Sequence, residues 1–94
     1  MTALTIDRAR YRVHVGKKEV FLAPKEIDLL FALMDADGKP VSRKDLAAKL
    51  YEPDWAGAID HRAIDQHIAR LRRKIKPVSA VRTVVGRGYQ YIED

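Results

Sequence analysis

The chain is 94 residues long, carries a net charge of +5 at pH 7, is 47% apolar and contains no cysteine. That length holds one small core and no second, and the lack of cysteine excludes a disulfide framework and thiolate zinc sites. No apolar run approaches the ~20 residues that span a bilayer. Met1 to Asp7 has neither the basic start nor the apolar stretch of a secretory signal, so a cytoplasmic protein is expected.

Leu4 to Ile6, and then Tyr11, Val13 and Val15 alternating with polar neighbours, read as short half-buried strands. Gly16-Lys17 supplies a turn, and Val20-Phe21-Leu22 returns as a third strand of a small antiparallel sheet over 3–22. Pro24 suits the first position of a helix, where its missing N–H costs nothing. Ile27, Leu30, Phe31 and Met34, with Leu33, form the buried stripe of that helix, over about 24–36, before Asp37-Gly38 ends it. Ser42 with Asp45 approximates a capping box for a second helix over 42–51, with Leu46, Leu50 and Ala47 facing inward. Tyr51 to Ile59 holds Pro53 and Gly57 and shows no helical period, so a loop is expected there. Asp60 can cap a third helix over 60–75, which Pro77 forbids from continuing. Val81 to Val85 and Gly88 to Ile92 flank Gly86-Arg87-Gly88 as a hairpin over 81–92.

The third helix concentrates the information. Ile64, Ile68, Leu71 and Ile75 recur at spacings of four, three and four, one stripe down a helix. The opposite side carries Arg62, Gln66, Arg70 and Arg73, with Ala63 and Ala69 between them. From Arg62 to Arg87 there are eight Lys/Arg against one acid, Asp65, whereas residues 19–60 are close to balanced. An apolar stripe backed by arginines and small residues suits the DNA major groove, which admits a helix and is read by Arg and Gln. The same features also describe a solvated basic face, and the order of elements decides between them. Sheet, helix, helix, helix, hairpin is the outline of an α+β winged helix-turn-helix, with a long loop replacing the usual short turn. An enzyme is not expected, because there is no nucleophile–base signature and Gly86-Arg87-Gly88 lacks the strand-to-helix setting of a phosphate loop. His14, His61 and His67 show no ligand spacing, so neither a metal nor any other cofactor is expected.

Four blocks in register resemble the C-terminal effector domain of OmpR/PhoB-type response regulators. They are Leu22-Ala23-Pro24-Lys25-Glu26-Ile27-Asp28-Leu29-Leu30, Val41-Ser42-Arg43-Lys44-Asp45-Leu46, Ile64 to Ile75, and Arg82-Thr83-Val84-Val85-Gly86-Arg87-Gly88-Tyr89. The resemblance implies a winged helix whose third helix enters the major groove, with Arg62, Ala63, Gln66, Arg70 and Arg73 as candidates for base contact. It implies His67, Arg72, Lys74, Thr83 and Arg87 as candidates for the DNA backbone or the wing. His67 could instead pack beneath the wing, Arg72 could form an internal ion pair with Asp65, and Thr83 could be only a strand residue. For the loop after the second helix the resemblance implies contact with RNA polymerase or neighbouring DNA, with Trp55 as the candidate, or else Trp55 folds back on the core.

Three residues depart from the family pattern. Ala23 stands where a threonine caps the first helix, at a cost of ~1 kcal/mol. Gln66 replaces a commonly aliphatic residue, a change that should favour adenine over a thymine methyl. Val85 stands where many members have a basic wing residue. As partners the resemblance implies double-stranded DNA in direct-repeat half-sites, bound by monomers that pair head to tail, and a receiver domain served by a sensor kinase. The chain has no receiver domain of its own, so the expectation is either an effector half or a stand-alone regulator. The alternative reading is a winged helix turned to protein recognition.

Overall fold

The computed structural model describes residues 3–92; Met1, Thr2, Glu93 and Asp94, which belong to the expected span 1–94, lie outside them. Strands β1 (Leu4–Asp7), β2 (Arg12–Val15) and β3 (Lys18–Val20) form an antiparallel meander. Ile6 pairs with Val13 and Val13 with Val20, so the apolar residues share the face turned to the core. Two aromatic residues fall outside this sheet, contrary to the alternation. Tyr11 sits at φ 54° in the turn before β2, its ring 5.6 Å from Phe31. Phe21 lies beyond the end of β3 and is 83% exposed.

Helix α1 (Pro24–Asp35) starts at its proline and ends where Asp37 and Gly38 both take positive φ. Its buried side is wider than the expected stripe, because Leu29 and Ala32 are also inside, while Met34 is only half-buried. Helix α2 (Arg43–Leu50) is capped by the Ser42 hydroxyl, which accepts from the Asp45 amide at 3.0 Å. The expected loop after it contains a four-residue helix, α3 (Pro53–Ala56), too short to show a period but opened by a proline at its first position. Helix α4 (His61–Lys74) is capped by Asp60, which accepts from the Arg62 amide at 2.9 Å. Ile64, Ile68, Leu71 and Ile75 are fully buried against α1 and α2. Strands β4 (Val81–Val84) and β5 (Gly88–Tyr91) form the hairpin, with Tyr89 and Tyr91 both in the core. None of the described helices is long and apolar enough to cross a membrane.

Ala23 offers α1 no side-chain cap, so only one half of a capping box is made: Glu26 accepts from the Ala23 amide at 3.0 Å. The same carboxylate oxygen takes the Lys74 ammonium at 2.6 Å, tying the start of α1 to the end of α4. Glu26 is 2% exposed. Burial pushes its pKa up, but Lys74, the Ala23 amide and the nearby Arg70 charge outweigh burial and hold it below the ordinary 4.5. A depressed carboxyl pKa contributes stability that is full above 4.5 and lost as pH falls through the lower folded value. Lys74→Met is therefore expected to cost about 1–2 kcal/mol near neutral pH, allowing for solvent at the lysine end. Urea unfolding across a pH series checks this: the gap to the parent should close below about 4.5, and a gap independent of pH would refute the coupling.

Candidate nucleic-acid interface

The buried stripe of α4 dictates what its other side presents. Arg62, Gln66 and Arg70, four residues apart, form one outward ridge that Arg73 continues. All four side chains are exposed, with Ala69 exposed beside them and Ala63 half-buried at the edge. Among the described residues, Gln66, Arg70 and Arg73 make no hydrogen bond or ion pair within the chain. The Arg70 charge acts on Glu26 at the start of α1 and on His67 of its own helix. Arg62 bends back onto its own cap, with Nη2 3.0 Å and Nε 3.2 Å from Asp60 Oδ2. The Asp60 pair raises the Arg62 pKa further, so the residue is a fixed cation at the leading end of the helix.

Three candidates for the DNA backbone turn inward. Lys74 is taken by Glu26. Arg72 does not pair with Asp65 as expected: its Nε donates to the Val81 carbonyl at 3.1 Å and its Nη2 to the Thr83 hydroxyl at 2.7 Å. Its guanidinium also lies 5.4 Å from the centre of the Tyr89 ring. Arg72 stands about two turns beyond the carboxylate, level with β4, and the two β4 oxygens reach it there. His67 does not pack beneath the wing. At 100° per residue it lies about 140° around the helix from Arg72, and its Nε2 is 2.9 Å from the Tyr51 hydroxyl. Burial first, and then the Arg70 and Lys25 charges, lower its pKa below 6.5 against the opposing pull of Glu26. At neutral pH its imidazole is therefore uncharged.

The hairpin stands beside α4 because its backbone is bonded to the segment that precedes α2. The Val41 amide donates to the Tyr89 carbonyl at 2.7 Å, and the Tyr89 amide donates to the Val41 carbonyl at 3.0 Å. Asp65 adds a side-chain link, since one oxygen, Oδ1, accepts from the Tyr89 hydroxyl at 2.6 Å and from Arg43 Nε at 2.9 Å. Between hairpin and helices runs a cleft of about 410 Å³, bordered by Ser42, Arg43, Lys44 and His61 on one side and Thr83 and Arg87 on the other. Arg87 is exposed at the hairpin tip, while Val85 beside it is 92% exposed and carries no charge.

Arg43, Lys44 and His61 were absent from the expected site. A signal for the first two exists: both are cations in the first turn of a helix, where the macrodipole disfavours positive charge. Such a placement makes sense when an anion is to be met. Trp55 does not fold back on the core. It stands on α3, 65% exposed, by a groove shared with Lys25, Lys49, Tyr51 and Glu52. Among the described residues no group of acidic, histidine or cysteine side chains could hold a metal ion.

Comparison with known proteins bears on the same elements. The family described as "Transcriptional regulatory protein, C terminal" matches residues 17–91. The response regulator protein PmrA of Pseudomonas aeruginosa is 40% identical over 86 residues, 92% of this chain and 38% of PmrA. The transcriptional regulatory protein SrrA of Staphylococcus aureus is 36% identical over 93 residues, 94% of this chain and 38% of SrrA. The chain thus spans less than half the length of these relatives. Among solved structures, the DNA-binding domain of Bacillus subtilis CssR superposes with a TM-score of 0.84 at 28% identity, covering 96% of this chain and 100% of that one. The Klebsiella pneumoniae RstA DNA-binding domain, solved in complex with the RstA box, superposes with a TM-score of 0.76 at 28% identity over 96% of this chain and 95% of its own. A family match across α1 to β5, with the helix-and-wing geometry above, places the chain among the OmpR/PhoB-type winged-helix effector domains of transcriptional regulatory proteins.

Proposed function

We propose that the chain reads a specific double-stranded operator by laying α4 in the major groove and the hairpin on the adjacent backbone or minor groove. The observation that carries this reading is the outward ridge Arg62, Gln66, Arg70 and Arg73, most of whose hydrogen-bonding capacity the chain itself does not use. Arg recognises guanine and Gln recognises adenine bidentately, each good pairing being worth ~1–3 kcal/mol of discrimination. Arg43, Lys44 and Arg87 supply phosphate contacts around the cleft, with Thr83 beside them. In this reading the domain is the effector part of a two-component response regulator, working in the cytoplasm under a phosphorylated receiver domain. Monomers pair head to tail on direct-repeat half-sites, and the exposed Trp55 on α3 meets RNA polymerase. The likeness to the RstA domain supports the DNA reading, that domain having been solved on its own box.

Selection of bound duplexes from a random library, followed by titration against scrambled duplex at several salt concentrations, tests this. A repeated motif bound at least ~10³-fold more tightly than scrambled DNA is the expected result. Log affinity should fall linearly with log salt, at about 0.9 per phosphate neutralised. Absence of binding at low salt would overturn the reading in favour of a protein partner.

A further inference from the structure

Asp65 is the one acidic residue between His61 and Ile92, and it sits on the helix that carries the basic ridge. By charge alone it weakens attraction to a polyanion. Its surroundings give it another use. Oδ1 accepts from the Tyr89 hydroxyl at 2.6 Å and from Arg43 Nε at 2.9 Å, so one oxygen joins α4, β5 and the first residue of α2. Tyr89 is buried in β5, and its own backbone bonds Val41, two residues before Arg43. The nearby Tyr89 hydroxyl and the Asp65 carboxylate both raise the pKa of Arg43. A guanidinium has five N–H donors in a fixed fork. Anchoring Nε sets the plane of that fork, and the Arg43 side chain remains 45% exposed on the wall of the cleft.

We propose that Asp65 is a positioning residue for DNA binding: through the oxygen shared by Tyr89 and Arg43 it fixes the hairpin against α4 and aims Arg43 at a backbone phosphate in the cleft. This inference rests on the DNA reading above and deepens it. It also has a consequence opposite in sign to simple electrostatics. Removing a carboxylate from a DNA-facing helix should by charge alone tighten binding, whereas removing the anchor should weaken it. Tyr89→Phe deletes one arm of the junction with no change of net charge.

The test is the affinity of the parent chain, Asp65→Ala, Tyr89→Phe and Arg43→Ala for a labelled duplex pool of random sequence across a salt series. Hydrogen exchange of the Val41 and Tyr89 amides is followed in the unbound proteins. Asp65→Ala is expected to bind about tenfold more weakly despite its more positive charge, the size of one charge-assisted hydrogen bond. The salt slope of Asp65→Ala and of Tyr89→Phe should fall by about 0.9, the loss of one phosphate contact. Neither change should add to Arg43→Ala. The two hairpin amides should exchange faster in Asp65→Ala and Tyr89→Phe, with the buried amides of α1 unaltered. A merely structural role would lower stability and leave the salt slope of the folded protein where it was. Tighter binding by Asp65→Ala, or an unchanged slope in Tyr89→Phe, would overturn the positioning role alone. Failure of the parent chain to bind any duplex would overturn the DNA reading itself, and this inference with it.

Discussion

Gly88→Ala is expected to undock the hairpin and cost about 3 kcal/mol or more in stability, whereas Gly86→Ala two residues earlier should cost only ~1–2 kcal/mol. Gly88 opens β5 at φ +130°, and a Cβ there would lie 2.0 Å from the Val41 carbonyl oxygen and 2.8 Å from the Ser42 Cα. Both are backbone atoms, held by the paired Val41–Tyr89 hydrogen bonds, so neither can swing aside as a side-chain tip would. The alanine therefore meets conformational strain of ~1–3 kcal/mol and an overpacking cost of similar size. Gly86, at φ +78°, has nothing within 4 Å of its would-be Cβ, which leaves only the left-handed backbone penalty. Circular dichroism during urea unfolding distinguishes the two, and equal midpoints would show that the close approach to Val41 does not hold the hairpin. Because Val41 and Ser42 lead directly into α2, the same contact sets the distance from hairpin to Arg43. A folded Gly88→Ala protein should accordingly show a shallower salt dependence on DNA than the parent.

Elements whose evidence lies within a few residues were legible in the sequence. The stripe Ile64, Ile68, Leu71 and Ile75 declares α4, Pro24 and Ser42 mark the starts of α1 and α2, and the structure places all of these as read. Backbone conformation was less legible. Tyr11 continues the alternation of β2 in the sequence but adopts positive φ in the turn, where its ring covers Phe31. Helix α3 spans four residues and therefore has no period to detect. Partners distant in sequence were the least legible. An arginine beside an acid on one helix suggests an ion pair, yet Arg72 reaches two oxygens of β4, and Asp65 is claimed by residues from α2 and β5. Lys74 and Glu26 are 48 residues apart, and only the packing of α1 on α4 brings them together. The basic ridge was legible for the same reason as the core stripe, since helical periodicity defines both at once. Which of its cations the chain would spend internally depended on neighbours that periodicity does not describe.

That division sharpens what is expected of Arg70. Arg72 and Lys74 are held by internal partners, whereas Arg70 is exposed, makes no hydrogen bond within the described residues, and follows Gln66 by one turn on the outward ridge. An exposed side chain of this kind can be removed with a change in stability of no more than about 0.5 kcal/mol, so its loss should appear in DNA binding. Arg70→Ala is expected to lower affinity for the selected duplex by ~1–3 kcal/mol, about 5-fold to 150-fold, as one bidentate guanine contact is lost. Scrambled duplex should be affected far less, and base preference should relax at a single position of each half-site. Gln66→Val is expected to exchange preference for adenine with preference for thymine at the neighbouring position, because an aliphatic group there meets the thymine methyl. Titration of both variants against a panel of single-base operator substitutions checks these assignments. If Arg70→Ala instead weakens every duplex equally and lowers the salt slope by about 0.9, Arg70 holds a phosphate. Guanine recognition then passes to Arg73, the next cation along the ridge and, like Arg70, without a hydrogen bond or ion pair among the described residues.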